Sequence, residues 1–426
     1  MLPIPVKTST VPDKDRFYSE LVEKCTDVTV DALGRDSVRA VLMIGAPARS
    51  EVTVVETPGG LYSLSDIDLV CVCRDGSDPQ LHARKLGPAV SGLNRELAPV
   101  CSGVDVAIKS EAQLATPAPL ISTYELVRSP VVVWGDERVV SALGDIDIAD
   151  VPNTESLTLM HNRMTEELLL RPTRSSGERP LLASLSSLYG TAKLVLDSIT
   201  SHLFIMNNVP TGFRDRVEFF LSDVVRRPES SRLREGLGDF IDELPAWATF
   251  KTTGDLGALA ETFGTTNEPA DIDRLARNVW KRYIAYAEVF WRDILGDVTR
   301  ADAADLSVEK TSRLYRRLES LPRSAVRAHR MLRPGRAPAE LFAGLGTYYR
   351  ARLASPRTLA YLTAVLTYLS FSDSVDWDRV VGTVRSVCPF SLPREFASMG
   401  ADEQRSVITE RLRLFHHSVL LGRKER

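Results

Sequence analysis

Two carboxylates at the head of an apolar run constrain this 426-residue chain more than any other feature. Ser65-Asp66-Ile67-Asp68 leads directly into Leu69-Val70-Cys71-Val72-Cys73. An acid buried there without a partner would lose hydration that a protein interior does not replace. Side chains alternate along a strand, so Asp66 and Asp68 are expected on one face, with Cα atoms about 7 Å apart, and Cys71 and Cys73 on the other. Such a pair suits divalent cations, which in two-metal sites stand about 3.5–4 Å apart. Cation binding would remove the cost of the acids. The tripeptide alone says little, because Asp-Ile-Asp recurs at 145–147 and 271–273. Asp145 and Asp147 have no glycine-ended apolar run at a suitable distance upstream. Asp271 and Asp273 follow Pro269, where first-turn helix acids and capping residues belong.

Two further stretches fit the same plan. Gly103-Val104-Asp105-Val106-Ala107-Ile108 is a second short apolar run with one carboxylate. Paired beside the Asp66–Asp68 strand, it would bring a third acid to the same sheet face. Upstream, the run Val41–Ile44 ends in Gly45 and a small-residue loop with Ala46 and Arg49. Glycine permits the close backbone approach that a phosphate needs, and successive amides in such a loop can form an anion-binding nest. Arg49 is expected to contact a triphosphate, the alternative being a salt bridge with Glu51.

At these residues the chain resembles the nucleotidyltransferase superfamily that includes DNA polymerase β and the aminoglycoside nucleotidyltransferases. The matching residues are Gly45-Ala46, Asp66-Ile67-Asp68 and Asp105, and Ala48-Arg49-Ser50-Glu51 is similar to the Ala-Arg-Gly-Glu that often follows the family's Gly-Ser. Two departures stand out. Ala46 replaces the serine and removes a hydroxyl from the phosphate loop. Val52–Glu56, Thr57-Pro58-Gly59-Gly60 and Leu61–Leu64 read as a hairpin inserted before the paired acids. The resemblance covers roughly residues 38–136. It implies a catalytic and metal-binding set of Asp66, Asp68 and Asp105, two Mg²⁺ ions, and an NTP co-substrate with ATP the expected one. The phosphates would sit on Gly45, Ala46 and Arg49.

The expected fold is α+β: a nucleotidyltransferase domain over residues 1–150, with a mixed sheet flanked by helices, then largely helical sequence. Helices are expected over 13–33, 78–97 and 120–128, and strands over 38–44, around Asp66–Cys73 and Asp105, and over 131–134. Beyond Val151-Pro152-Asn153 apolar residues recur at helical spacing. A helical domain closing over nucleotide and acceptor is expected over 151–300, with further helices over 301–426. Tyr189, Lys193 and Asp197 fall on one helix face, and similarity to helical domains of antibiotic nucleotidyltransferases implies that Lys193 reaches the triphosphate. An ion pair between Lys193 and Asp197 is the alternative.

Charge and composition narrow the partners. A net charge of −3 offers no general attraction to nucleic acid or membrane. Residues 313–336 carry eight arginines against one acid, Glu319, which suits either a solvated surface or an anionic partner such as RNA. Five cysteines without a CxxC spacing fit a reducing compartment, with Cys71 and Cys73 read as core residues. The amino terminus has no signal-peptide pattern and no run approaches 18 apolar residues, so the expectation is a cytoplasmic protein without a membrane span. Its expected reaction moves a nucleoside monophosphate from an NTP to a small-molecule, RNA or protein acceptor and releases pyrophosphate. The rival readings are a catalytically silent nucleotide- or partner-binding protein and an RNA-directed nucleotidyltransferase.

Overall fold

The apolar run Val38–Met43 becomes the central strand, β1, because it is covered on both faces. A computed structural model describes residues 12–74, 79–171, 180–227, 230–299, 356–372 and 375–416, and the arginine-rich stretch 313–336 lies outside these. The fold mixes α and β. Strand β4 (Ile67–Cys73) and the last strand, β6 (Val131–Gly135), both pair antiparallel with β1, and β5 (Val104–Ser110) pairs parallel with β4. The sheet order is β5-β4-β1-β6. A parallel pair needs a long crossover, here supplied by helix α3 (Pro79–Leu97).

Helix α1 (Pro12–Leu33) and α3 cover one sheet face. Tyr18, Val22 and Cys25 of α1 and Leu86 and Leu93 of α3 pack there on Val41 and Met43 of β1, Ile67, Leu69, Cys71 and Cys73 of β4, and Val104 of β5. The opposite face holds Ala40, Leu42, Val70 and Val72 against Leu114 of α4 (Glu111–Ala115) and Leu126 of α5 (Ile121–Arg128). Val38 and Val41 share the α1/α3 face despite their odd spacing, because a bulge falls between Val38 and Ala40.

Between the short helix α2 (Gly45–Ala48) and β4 the chain forms a separate hairpin, β2 (Val54–Thr57) with β3 (Gly60–Ser63). It lies close to the hairpin expected over 52–64. Its far end is tied to the segment before β5, where Ser63 accepts from Ser102 N–H at 3.0 Å and donates its own N–H to Val100 at 2.9 Å.

By contacts the chain divides into two units. One unit takes Met1–Ser156, His202–Arg234 and Gly238–Leu275, and the other takes Leu157–Ser201, Glu235–Leu237 and Ala276–Arg426. The first unit therefore adds helices α8 (Phe213–Phe219), α10 (Phe240–Thr253) and α11 (Leu256–Phe263) to the sheet. Gly254, which caps α10 at φ +69°, shows how tightly they pack: a Cβ there would stand 2.1 Å from the carbonyl oxygen of Val54. Any side chain at that position would push α10 off the hairpin.

The second unit is helical among its described residues. Helix α6 (Asn153–Leu169) and α7 (Pro180–Ile205) each begin or end in the first unit, as does α12 (Pro269–Thr299). Helices α13 (Pro356–Leu369), α14 (Trp377–Val387) and α15 (Ala401–Phe415) complete it. Helix α7 is apolar nearly all round, as a helix buried on every side must be. Two of its hydroxyls turn back on their own backbone, Ser198 to Leu194 O at 2.6 Å and Thr200 to Leu196 O at 2.9 Å. Among the described residues no helix is long and apolar enough to cross a membrane.

Candidate functional site

Strand β4 delivers the acids. Its odd positions, Ile67 to Cys73, face the α1/α3 core, while Val70 and Val72 face α4 and α5. Asp68 therefore points to the α4/α5 side, where it is half-buried. In the parallel register with β5, Asp68 stands directly opposite Asp105. Asp105 lies between Val104 and Val106, which join the α1/α3 core, so it shares the face of Asp68 and is exposed. Neighbouring strands run about 4.8 Å apart, which makes these two carboxylates side-by-side neighbours. The cysteines occupy the opposite face, as read from the sequence.

Asp66 sits in the bend just ahead of β4 rather than within the strand. The bend is fixed by its neighbours: Ser65 Oγ accepts from Thr53 N–H at 2.9 Å, Ile67 N–H donates to Gly103 O at 2.9 Å, and Tyr18 donates to Asp66 O at 3.2 Å. The Asp66 side chain leans toward the β5 side, where its Oδ1 accepts from Ser102 Oγ at 3.1 Å. A Cβ on Gly103 would stand 3.4 Å from the same oxygen.

Gly45 lies on the other flank. Ile44 N–H donates to Asp68 O at 3.1 Å, which holds the end of β1 against β4, and Gly45 then turns at φ +74°. A Cβ on Gly45 would lie 3.6 Å from Asp68 Oδ2, so the loop backbone runs beside that carboxylate. Ala46 fixes the turn through its carbonyl, which accepts from Arg49 N–H at 3.0 Å and Glu51 N–H at 2.9 Å.

Arg49 takes the alternative weighed for it. Its Nε donates to Glu51 Oε2 at 2.9 Å and its Nη1 to Glu125 Oε2, and the side chain is only 6% exposed. That burial and those partners make it a support of the loop. Lys193 belongs to the second unit, with its ammonium 5.3 Å from the Tyr189 ring centroid and its charge felt by Glu166. Asp197, the local partner weighed for Lys193, accepts instead from Arg163 of α6.

The other two Asp-Ile-Asp copies make local contacts, at 145–147 to backbone and at Asp271 to neighbouring side chains. Asp147 caps a single 3-10 turn by accepting from Ala149 N–H at 3.0 Å, and Asp145 accepts from Ile146 N–H at 2.9 Å. Asp271 lies in the first turn of α12, beside Arg274 and Thr266. The cysteines are buried thiols. Burial pushes both Cys25 and Cys101 up to about 12, so both are protonated thiols near neutral pH.

Among the described residues no three His, Cys, Asp or Glu side chains gather closely enough to hold a metal ion by themselves. Of the three carboxylates expected to share a metal, Asp68 and Asp105 are register partners on adjacent strands, and Asp66 accepts from Ser102 at the bend ahead of β4. The donors still suit Mg²⁺. That ion is usually held by one or two carboxylates together with substrate phosphates and water, rather than by an all-protein cage.

Compared with known proteins, the chain matches no family model and no curated protein.

Proposed function

We propose that the chain is a nucleotidyltransferase that transfers a nucleoside monophosphate from an NTP, with ATP the expected donor, to an acceptor hydroxyl. One observation carries this reading: Asp68 and Asp105 are register partners on one sheet face, with the Gly45 turn running beside Asp68. In the proposed domain layout the sheet of the first unit is the nucleotidyltransferase core. Asp68, with Asp66 as a further oxygen donor at the bend, would hold the Mg²⁺ that accompanies the triphosphate, and Asp105 would serve a second Mg²⁺ nearer the acceptor. Bound there, Mg²⁺ supplies positive charge against the triphosphate and the departing pyrophosphate.

The remaining work falls to the chain. Gly45 leaves room for the nucleotide's phosphates along the 45–48 turn, where the first amides of a helix have no intrahelical acceptor. Ala46 offers a backbone amide and no hydroxyl. Asp105, the most exposed of the three acids, faces solvent where an acceptor would enter, and takes the proton of the attacking hydroxyl. The acceptor oxygen bonds to the α-phosphorus as the bond to the bridging oxygen breaks, and pyrophosphate leaves. Alignment of two bound reactants supplies much of the acceleration in such a transfer. Lys193 remains a proposed triphosphate contact, resting on the resemblance alone.

Incubation with Mg²⁺ and each NTP in turn, across a set of hydroxyl-bearing acceptors, tests the proposal by pyrophosphate release. Release with at least one NTP that disappears on chelation of Mg²⁺ is expected. Nucleotide binding without release under any acceptor would instead favour the silent binder to which Ala46 points.

A further inference from the structure

The turn carrying Gly45 is anchored by a line of buried charges running far along the chain. Glu51 receives Arg49 Nε through Oε2 and the backbone N–H of Phe213 through Oε1. Glu125 of α5 receives Arg49 Nη1 on one oxygen and Arg216 Nη2 of α8 on the other. Arg216, 4% exposed, also donates to the carbonyls of Pro210 at 2.7 Å and Thr211 at 3.1 Å. Phe213 lies at the centre: the charged groups of Arg49, Arg216 and Lys251 stand 5.2, 5.4 and 5.5 Å from its ring centroid. All three are within cation–π reach.

Two features mark this line as more than a fortuitous cluster. Each carboxylate bridges two donors from different parts of the chain, so removing either one takes a charge-assisted hydrogen bond from a buried guanidinium. Ser50, between Arg49 and Glu51, adopts φ 60°, a costly region for a residue with a side chain. Such a conformation persists where flanking contacts over-determine it, and Arg49 and Glu51 are those contacts.

We propose that Glu125 is a positioning residue which, by bridging Arg49 and Arg216, clamps the 45–53 turn to the α8 segment and thereby sets nucleotide affinity without touching nucleotide. The second half of that statement rests on the nucleotidyltransferase reading, and the first half stands without it. Glu125 offers one oxygen to each arginine, and the planar guanidinium fork fixes the direction of both bonds.

The test compares Glu125→Gln with Glu111→Gln, which disrupts a different ion pair of the same unit, that with Arg39. Amide hydrogen exchange in the nucleotide-free protein should accelerate at least about tenfold across 45–53 in Glu125→Gln, with β4 unchanged. Glu111→Gln should leave 45–53 as in the wild type. Mg²⁺–ATP affinity should fall at least about tenfold in Glu125→Gln and recover in part in Glu125→Asp. Should Glu125→Gln fail to fold, Arg216→Lys keeps the charge, loses the fork, and should show the same local acceleration. Unchanged exchange across 45–53, or equal acceleration in Glu111→Gln, would overturn the clamp. A loosened turn in a protein whose wild type does not bind Mg²⁺–ATP would keep the clamp and remove the nucleotide reading.

Discussion

Asp105→Asn should keep Mg²⁺–nucleotide affinity near the wild-type level and lose at least about a hundredfold in single-turnover transfer, the lower range for a positioned acid–base group. The expectation follows from where the acids lie. Asp68 is half-buried and has the Gly45 turn beside it, so the nucleotide's phosphates would approach from that side. Asp105 stands one strand further out, on the edge strand of the sheet, and is exposed. An acceptor would meet Asp105 first. A group that acts on the acceptor chiefly in the transition state shows its loss in kcat, with nucleotide KM little changed. Asparagine keeps the shape and oxygen of the side chain and removes its charge and basicity. Affinity and single-turnover rate, measured on one preparation, check this. Equal loss of binding in Asp68→Asn and Asp105→Asn would show that the two acids are not divided in this way, and full activity in Asp105→Asn would remove it from the site.

The second large effect concerns stability against pH, and it arises in the helical unit. Glu167 of α6 is fully buried and accepts from Thr191 Oγ1 at 2.6 Å, while its Oε2 has no hydrogen-bond partner. Burial, helped by the neighbouring Glu166 charge, pushes it from its ordinary 4.5 up to about 8, so the folded protein carries it protonated at neutral pH. His161, six residues earlier on the same helix, is also buried, and burial holds it down to about 3. Its Nε2 accepts from Trp291 Nε1–H at 3.1 Å, which only the imidazole unprotonated at Nε2 can do.

The two groups act in opposite directions. Between pH 3 and 4.5 the unfolded chain binds one more proton, on His161, and stability rises with pH. From 4.5 to 6.5 the unfolded chain holds that proton while the folded chain holds one on Glu167, and the contributions cancel. From 6.5 to 8 only the folded chain is protonated, and stability falls with pH by about 1.4 kcal/mol per unit, about 2 kcal/mol in all. Thermal denaturation from pH 4 to 9 should therefore give a plateau near pH 4.5–6.5 and a decline above it. Glu167→Gln should abolish that decline and melt at a higher temperature than wild type at pH 8.5. An unchanged alkaline limb in Glu167→Gln would refute the assignment.

The sheet was legible because its strands are set by local patterning. Val38–Met43, Ile67–Cys73 and Val131–Gly135 are short, mostly apolar runs, and 79–97 and 121–128 carry helical spacing. The face shared by Asp68 and Asp105 followed from the two-residue period and needed only the parallel register to become a contact. What could not be read depends on partners distant in sequence. Arg49 meets Glu125 from 76 positions away, and Glu51 meets Phe213 from 162. No spacing rule encodes such a pairing. The same competition decides the partner of Asp197: it lies four residues on from Lys193, yet Arg163 of α6 pairs with it, because a guanidinium from another helix reaches it. The grouping of residues 202–234 and 238–275 with the sheet is likewise not encoded locally, since a helical pattern shows that a face is buried and not what buries it.

Calorimetric titration of Mg²⁺–ATP into the wild type, Asp68→Asn and the double variant Asp145→Asn/Asp147→Asn addresses the central claim most directly. The substitutions are chemically identical and target copies of the same tripeptide, one beside the Gly45 turn and one serving local backbone. The account predicts binding in the wild type and the double variant, and its loss in Asp68→Asn with the fold intact. Unchanged affinity in Asp68→Asn, or loss confined to the double variant, would contradict it.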